Sequence, residues 1–412
     1  MNISQHTGTS NDLAIHTIVG LIWKNGPISR AELSRLSGFS RSTITLNVDR
    51  LLKIGIVIET TKLPHNRESK RKCLEIAKDY GVIVGIEMGA NNCAIGLCTL
   101  SGEIEETTSF RINYDLEPHA ILKQLIMTIT TLIGQSHRPT KRVLGIGIGL
   151  PSPVDFNEGF AVHPAFMPGW HHFPIKSILQ NHYHCPVFVD NEVNTMALGQ
   201  SYLSEECRDA NIIFVKAGSA IGAGIIINGE IYRGNSGLSG NIGHIQIDGR
   251  TEQCKCGKLG CLEAIVGGVA LGKKAEQAAK HWKSNLLQTT YTKKGSLDAA
   301  DIQQAAAKGD AEALRLIQEA GQVLGSLLGK LIIFFDPKAV VIGGGLTGFG
   351  PQYISYIRES IIQQCTPWIR SDFSVYETEY GSDIGIIGSA MLCIKQLLDL
   401  GYLVQPLPND NA

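Results

Sequence analysis

Residues 244–261 read HIQIDGRTEQCKCGKLGC, which gathers one histidine and three cysteines in a single polar, glycine-rich stretch. His244, Cys254, Cys256 and Cys261 make a complete tetrahedral donor set of the Cys3His type, and that set suits Zn2+. Glycines at 249, 257 and 260 allow the tight turns that bring closely spaced cysteines to one ion. The competing reading is a reduced, buried cysteine cluster, since free cysteine is often a core residue. CKCGKLGC is too polar for that and reads as a loop. Four protein ligands leave no open position for a substrate, so the predicted metal is structural.

The chain that carries this loop has 412 residues, 43% apolar and 18% charged, which predicts a folded globular protein of two or three domains. No run of about 18 apolar residues is evident, so no membrane insertion is expected. The opening MNISQHTGTSND lacks a basic-then-apolar signal pattern. Ten cysteines form no paired framework, with Cys73, Cys185, Cys365 and Cys393 each standing apart, which fits a reducing cytoplasm. Charge is unevenly spread. Residues 1–80 hold 12 basic and 7 acidic side chains, and the rest of the chain holds 25 and 31. A basic head on an acidic body predicts that only the head meets a polyanion.

The head has the grammar of a winged helix-turn-helix. DLAIHTIVGLIWK (12–24) is amphipathic, with Leu13, Ile15, Ile18, Val19 and Ile22 on its apolar side, and Gly26-Pro27 stops it. Ser29 caps a second helix, with Glu32 completing a capping box and Leu33 and Leu36 turned inward. Gly38 permits the turn, and Ser40 caps a third helix whose inward face is Ile44, Val48, Leu51 and Leu52. Two short strands follow, at about 56–60 and 72–76, joined by a tip bearing Lys62, Arg67, Lys70, Arg71 and Lys72. Arg41, Ser42, Thr45 and Asn47 are expected to face away from the core and meet DNA, with Arg41 reading guanine. Arg67, Lys70 and Arg71 are expected on phosphates.

Beyond residue 80 the pattern changes to glycine-turned strands and helices. YGVIVGIEMGANNCAIGLCTL and NIIFVKAGSAIGAGIIINGEI repeat one strand–glycine–strand theme, which predicts an internally duplicated, two-lobed α/β body with a cleft between the lobes. The tract HPAFMPGWHHFP (163–174) holds three histidines. His171 and His172 point apart if extended, so no second metal site is expected there.

The body resembles the ROK family of repressors and sugar kinases. The resemblance spans residues 81–400 and is most specific over GNIGHIQIDGRTEQCKCGKLGCLEA, which matches the family's zinc signature at every ligand. It implies an actin/hexokinase-like, duplicated ribonuclease-H-like fold. With the winged head in front, the whole chain resembles the family's sugar-responsive repressors. The expected units are residues 1–80 for DNA binding, 81–200 for the first lobe, and 201–384 for the second lobe with its zinc loop. The C-terminal helix, 385–402, is expected to return to the first lobe.

Against the resembling kinases, the phosphate turn after the first strand is altered. Glu87, Gly89, Ala90, Asn91 and Asn92 stand where an acidic residue and a Gly-Gly-Thr turn receive the ATP phosphates, and Ala220 replaces a glycine in the second turn. The expected base is Glu192, after Asn191, in place of aspartate. One extra methylene moves the carboxylate by roughly 1 Å, and such a displacement can cost ~100-fold. Asn241 stands in place of a sugar-binding glutamate, while His244 and Glu263 are kept. The resemblance therefore implies a sugar-binding set of Asn191, Glu192, Asn241, His244 and Glu263 without turnover, in which zinc orients His244 and, through Cys261, Glu263. The expected partners are operator DNA, a sugar or sugar phosphate effector, and a second copy of the chain in a homodimer or higher homo-oligomer. The alternatives are an ATP-dependent sugar kinase with a DNA-binding head and a repressor controlled by a protein partner.

Overall fold

Residue choice at the helix ends shapes the first three helices. In the computed structural model, which describes residues 10–63, 67–137, 142–365 and 373–404, α1 (Ser10–Asn25) stops at Gly26-Pro27. Helix α2 (Arg30–Ser37) starts on the Ser29 side chain, which accepts from the Glu32 N–H, and ends at left-handed Gly38. Helix α3 (Arg41–Ile54) is capped in the same way by Ser40 and Gly55. Glu32 does not reach back to complete a capping box; it pairs with Arg35. Strands β1 (Val57–Leu63) and β2 (Arg67–Ile76) form the wing as an antiparallel pair.

Two readings of the head need correction. Leu13 and Leu36 were expected inside but are exposed, because Ile15, Ile18, Val19 and Ile22 form the inner stripe of α1 and Leu33 alone is buried on α2. The wing strands also run further than expected, so Arg67, Lys70, Arg71 and Lys72 sit on β2 and not on a loop tip.

The body is two five-stranded sheets of matching plan. The first half contains β3 (Val82–Met88), β4 (Asn92–Cys98), β5 (Ile104–Arg111), α4 (Pro118–Gln135) and β6 (Val143–Leu150). It continues with the short pair β7 (Val154–Asp155) and β8 (Phe160–Ala161), then α5 (Ile175–Tyr183), β9 (Val187–Asn191) and α6 (Glu192–Leu203). The second half opens with β10 (Ile212–Ala217), β11 (Ile221–Ile227) and β12 (Glu230–Ile231). After the cysteine loop come α7 (Leu262–Val266), α8 (Gly268–Lys280), α9 (Asn285–Lys294), α10 (Ala299–Ala307) and α11 (Ala311–Phe335). Strand β13 (Ala339–Gly343), α12 (Pro351–Gln364), β14 (Ser374–Glu377) and α13 (Asp383–Asp399) complete the chain.

Sheet order is β5-β4-β3-β6-β9 in one half and β12-β11-β10-β13-β14 in the other. In both, two antiparallel hairpins lead into parallel strands, as an internal duplication requires. Helix α13 packs on α6 and on β3 and β6. Gly147 and Gly85 make this approach close: a Cβ on Gly147 would lie 1.8 Å from Ser389 O, and one on Gly85 2.4 Å from Ile386 O. Helix α11 is the one described helix long and apolar enough to cross a membrane; 56% of its apolar window is buried, and it packs along α12.

The head does not have a core of its own. Ile15, Ile22, Ile44 and Val48 belong to one continuous apolar cluster with Cys98, Leu100, Ile386 and Leu397 of the body. Helix α1 makes the bridge: Trp23 stacks on Tyr202 at 5.4 Å and donates its indole N–H to Leu100 O at 2.7 Å. Lys24 adds an exposed ion pair with Asp209.

Candidate functional site

The loop between β12 and α7 folds its four soft donors into one cluster. Cys254 N–H donates to Lys258 O, and Gly257 N–H closes back on Cys254 O, so the CKCGK segment turns sharply at Gly257, φ +90°. Gly260, φ +70°, sits where a Cβ would lie 2.5 Å from Arg250 O, which leaves room only for glycine. His244 Nδ1 is 3.5 Å from Cys254 Sγ, and Cys256 Sγ is 3.7 Å from Cys261 Sγ. All four ligand atoms lie within 4.8 Å of one another. Metal–sulfur bonds of about 2.3 Å in a tetrahedron put sulfurs about 3.8 Å apart, so the cluster fits a single tetrahedral ion.

A cleft of about 980 Å³ opens between the lobes. Three glycine turns line it, at 89–92, 218–220 and 344–347. Glu87 from β3, Glu192 from α6 and Lys216 from β10 line it as well. Lys216 Nζ lies 2.5 Å from Glu192 Oε2, and the two side chains are only 19% and 9% exposed. Burial pushes the Glu87 carboxyl up to about 7; Lys216 pulls it down and Glu192 pushes it further up. The sequence reading missed Lys216. Its signal was a single cation at the end of the otherwise buried, apolar strand IIFVKA.

The second lobe gathers three of the five expected sugar residues. Asn241 and His244 bracket a short 3-10 turn, and Glu263 lies on α7; the Ile221 N–H of β11 donates to Glu263 Oε2 at 3.3 Å. Asn241 is exposed and makes no capping bond with its side chain. Asn191 and Glu192 come from the first lobe, where Asn191 is largely committed to structure. Its Oδ1 accepts from Val193 N–H to cap α6, and its Nδ2 donates to Ser152 O at 2.9 Å. Val193 then packs on Gly222 and Gly224, so β11 is where the two sets approach each other. A second link between the lobes was also missed: buried Asp190 pairs with Arg233 at 2.8 Å, and Arg233 lies over the Phe156 ring.

On the head, Arg41, Ser42 and Thr45 are exposed along the N-terminal half of α3. Asn47 is not: it is fully buried, with Nδ2 donating to Thr43 O at 2.9 Å. The apolar stripe 44, 47, 48, 51 passes through it, so helical spacing overrides its polar character. The exposed face instead includes Leu46, an apolar side chain the sequence reading did not single out. The side chains of Arg67, Lys70 and Arg71 lie outside the described residues. Lys72 is exposed and paired with Glu59. Around the tract 163–174, the expected splaying of His171 and His172 is not found. His163 and His172 adopt left-handed backbone, which stacks the rings of His163 and His171 at 4.2 Å and brings those of His171 and His172 to 3.9 Å. Desolvation, then His172 and His163, hold His171 below its usual pKa. Among the described residues, only the Cys3His group brings three or more such ligand atoms together. Trp170 is buried against Tyr114 and Phe173.

Similarity to known proteins follows the same division into head and body. The sequence profile of the ROK family matches residues 83–396, and a winged helix-turn-helix DNA-binding profile matches residues 13–58. The xylose repressor of Caldicellulosiruptor bescii is 30% identical over 84% of this chain and 86% of its own length. The N-acetylglucosamine repressor of Escherichia coli is 28% identical over 94% and 93%. A glucokinase of Halalkalibacterium halodurans is 29% identical over 76% of this chain and 95% of its own. Among solved structures, a ROK family transcriptional regulator described as a homologue of the Escherichia coli MLC protein superposes with a TM-score of 0.83, at 25% identity, over 96% of this chain and 99% of that one.

Proposed function

The chain belongs to the ROK family, and from that premise we propose that it is a sugar-responsive, DNA-binding transcriptional repressor of carbohydrate genes. The carrying observation is the winged head joined through α1 to a two-lobed body with a cleft. The repressors resemble this chain through head and body together, whereas the glucokinase covers 76% of it. In this reading residues 1–80 bind operator DNA, 81–200 with 385–402 form the first lobe, and 201–384 the second. Arg41, Ser42 and Thr45 meet base edges and phosphates, with Arg67, Lys70 and Arg71 on the wing contacting the backbone. Two heads on a two-fold operator make a homodimer the working unit.

Asn241, His244 and Glu263 from one lobe, with Glu192 and Asn191 from the other, form the sugar-binding set. His244, Cys254, Cys256 and Cys261 hold a structural Zn2+, which cross-links the loop and supplies no chemistry. This chain's residues do not favour turnover. Glu192, at the place of the base, is paired with Lys216, and Ala90 and Asn91 stand in the first phosphate turn. A soluble protein working in the cytoplasm follows from this role.

Selection of genomic fragments by the purified protein, then titration of one fragment at several salt concentrations, tests the reading. Arg41→Ala should cost about 1–3 kcal/mol and relax preference at one base of each half-site. An equal loss on every operator variant would remove Arg41 as a base reader, and no selected fragment at all would remove the repressor.

A further inference from the structure

Every residue of β10 other than Lys216 is buried and apolar. Its place in the duplication is informative. Lys216 pairs with Gly343 of the neighbouring parallel strand β13, and in the first half Glu87 pairs with Gly149 of β6 in the same way. Each also sits one residue before the end of its strand. The duplication therefore sets opposite charges at equivalent positions on the two sides of one cleft. Glu192 joins them, nine-tenths buried, with its Oε2 on Lys216. No partner for its Oε1 is found among the described residues.

We propose that Lys216 determines the ligand class of the cleft: it holds one carboxylate oxygen of Glu192 and leaves the other to accept from a hydroxyl of an uncharged sugar, and the site rejects sugars that carry phosphate. The proposal rests on the sugar-responsive reading and narrows it. An ionised carboxylate only accepts hydrogen bonds, and a sugar hydroxyl donates one. Lys216 supplies the compensating charge through Oε2 and leaves Oε1 to the ligand. A phosphate at the same place would have to take the ammonium from Glu192, stranding a buried carboxylate without its partner. It would also meet a wall of its own sign. Five acidic side chains line the cleft against two ammonium groups, those of Lys216 and Lys273, and even with the Glu87 carboxyl raised to about 7 the acidic groups outnumber the basic ones. Glu276, Asp298 and Glu377 are the three besides Glu87 and Glu192.

The test is calorimetric titration of the full chain with D-xylose, D-glucose and N-acetyl-D-glucosamine, each beside its own monophosphate. One neutral sugar should bind at least about tenfold more tightly than its phosphate. Lys216→Met should weaken that sugar by about tenfold or more, and Lys216→Arg should hold it within about threefold. The wild-type comparison needs no variant, so misfolding of Lys216→Met cannot hide the answer. A phosphate that binds as tightly as its parent sugar overturns the proposal and leaves the sugar-responsive reading standing. So does a folded Lys216→Met that binds the neutral sugar unchanged. Failure of every sugar and every phosphate to bind overturns both.

Discussion

Strands β3 and β10 open the two halves of the body in the same register, each with a charged residue beside a glycine of the next parallel strand. In β3 that residue is Glu87, held partly buried with its carboxyl raised to about 7. In β10 it is Lys216, paired with Glu192 across the cleft. The backbone plan has been kept through the duplication while the charge has been reversed. The loops differ as well: the second half places the Cys3His cluster between β12 and α7, and the first half joins β5 to α4 by a short connection. Equivalent strands can therefore carry unlike chemistry, because a sheet constrains its backbone and its buried neighbours far more than a side chain at the strand end.

The largest expected difference between the halves lies in the metal loop. Structural zinc contributes ~10–16 kcal/mol of apparent binding energy in small peptides, so Cys256→Ser should lose the metal and lower the melting temperature substantially. Metal analysis and thermal unfolding on one preparation check this. A variant that loses zinc yet melts like the wild type would show that the loop does not need it.

The next effect belongs to the Lys216–Glu192 pair. Breaking a buried pair by removing one partner costs about 3–5 kcal/mol, so Lys216→Met should destabilise by that order, and adding Glu192→Gln should recover much of the loss. If the double variant is no better than the single one in denaturant titrations, the pair is not coupled.

A smaller effect concerns Glu87 and pH. Its folded pKa of about 7 lies above the ordinary 4.5, so the stabilisation it contributes is full below about pH 4.5 and is lost as pH rises through 7. Glu87→Gln should remove this fall, worth at most about 3 kcal/mol, and flatten stability between pH 5 and 8. An unchanged pH profile would mean that Glu87 titrates normally.

What could be read in the sequence was local. Ser29, Gly38, Ser40 and Gly55 each act within a few residues, and so the head's helices were legible with their caps. The cysteine cluster was legible for the same reason, its four donors lying within eighteen residues. Contacts between distant segments were not. Glu192–Lys216, Asp190–Arg233 and Trp23–Leu100 join residues 24, 43 and 77 positions apart, and no periodicity encodes them. Asn47 shows a different gap: its type suggested the DNA face, but its position on the apolar stripe decided its burial. The apolar cluster that runs from the head through α1 into the body is likewise a contact between distant segments, and no local pattern announces it.

The central claim is that sugar in the cleft is felt by the DNA-binding head. Fluorescence anisotropy of one selected operator duplex, titrated with the full chain with and without each neutral sugar, tests it most directly, with ATP consumption followed in the same tubes. The account predicts that one sugar shifts operator affinity by about tenfold or more, or about 1.4 kcal/mol, while ATP is not consumed. Operator affinity indifferent to every sugar, or sustained sugar-dependent ATP consumption, would contradict it.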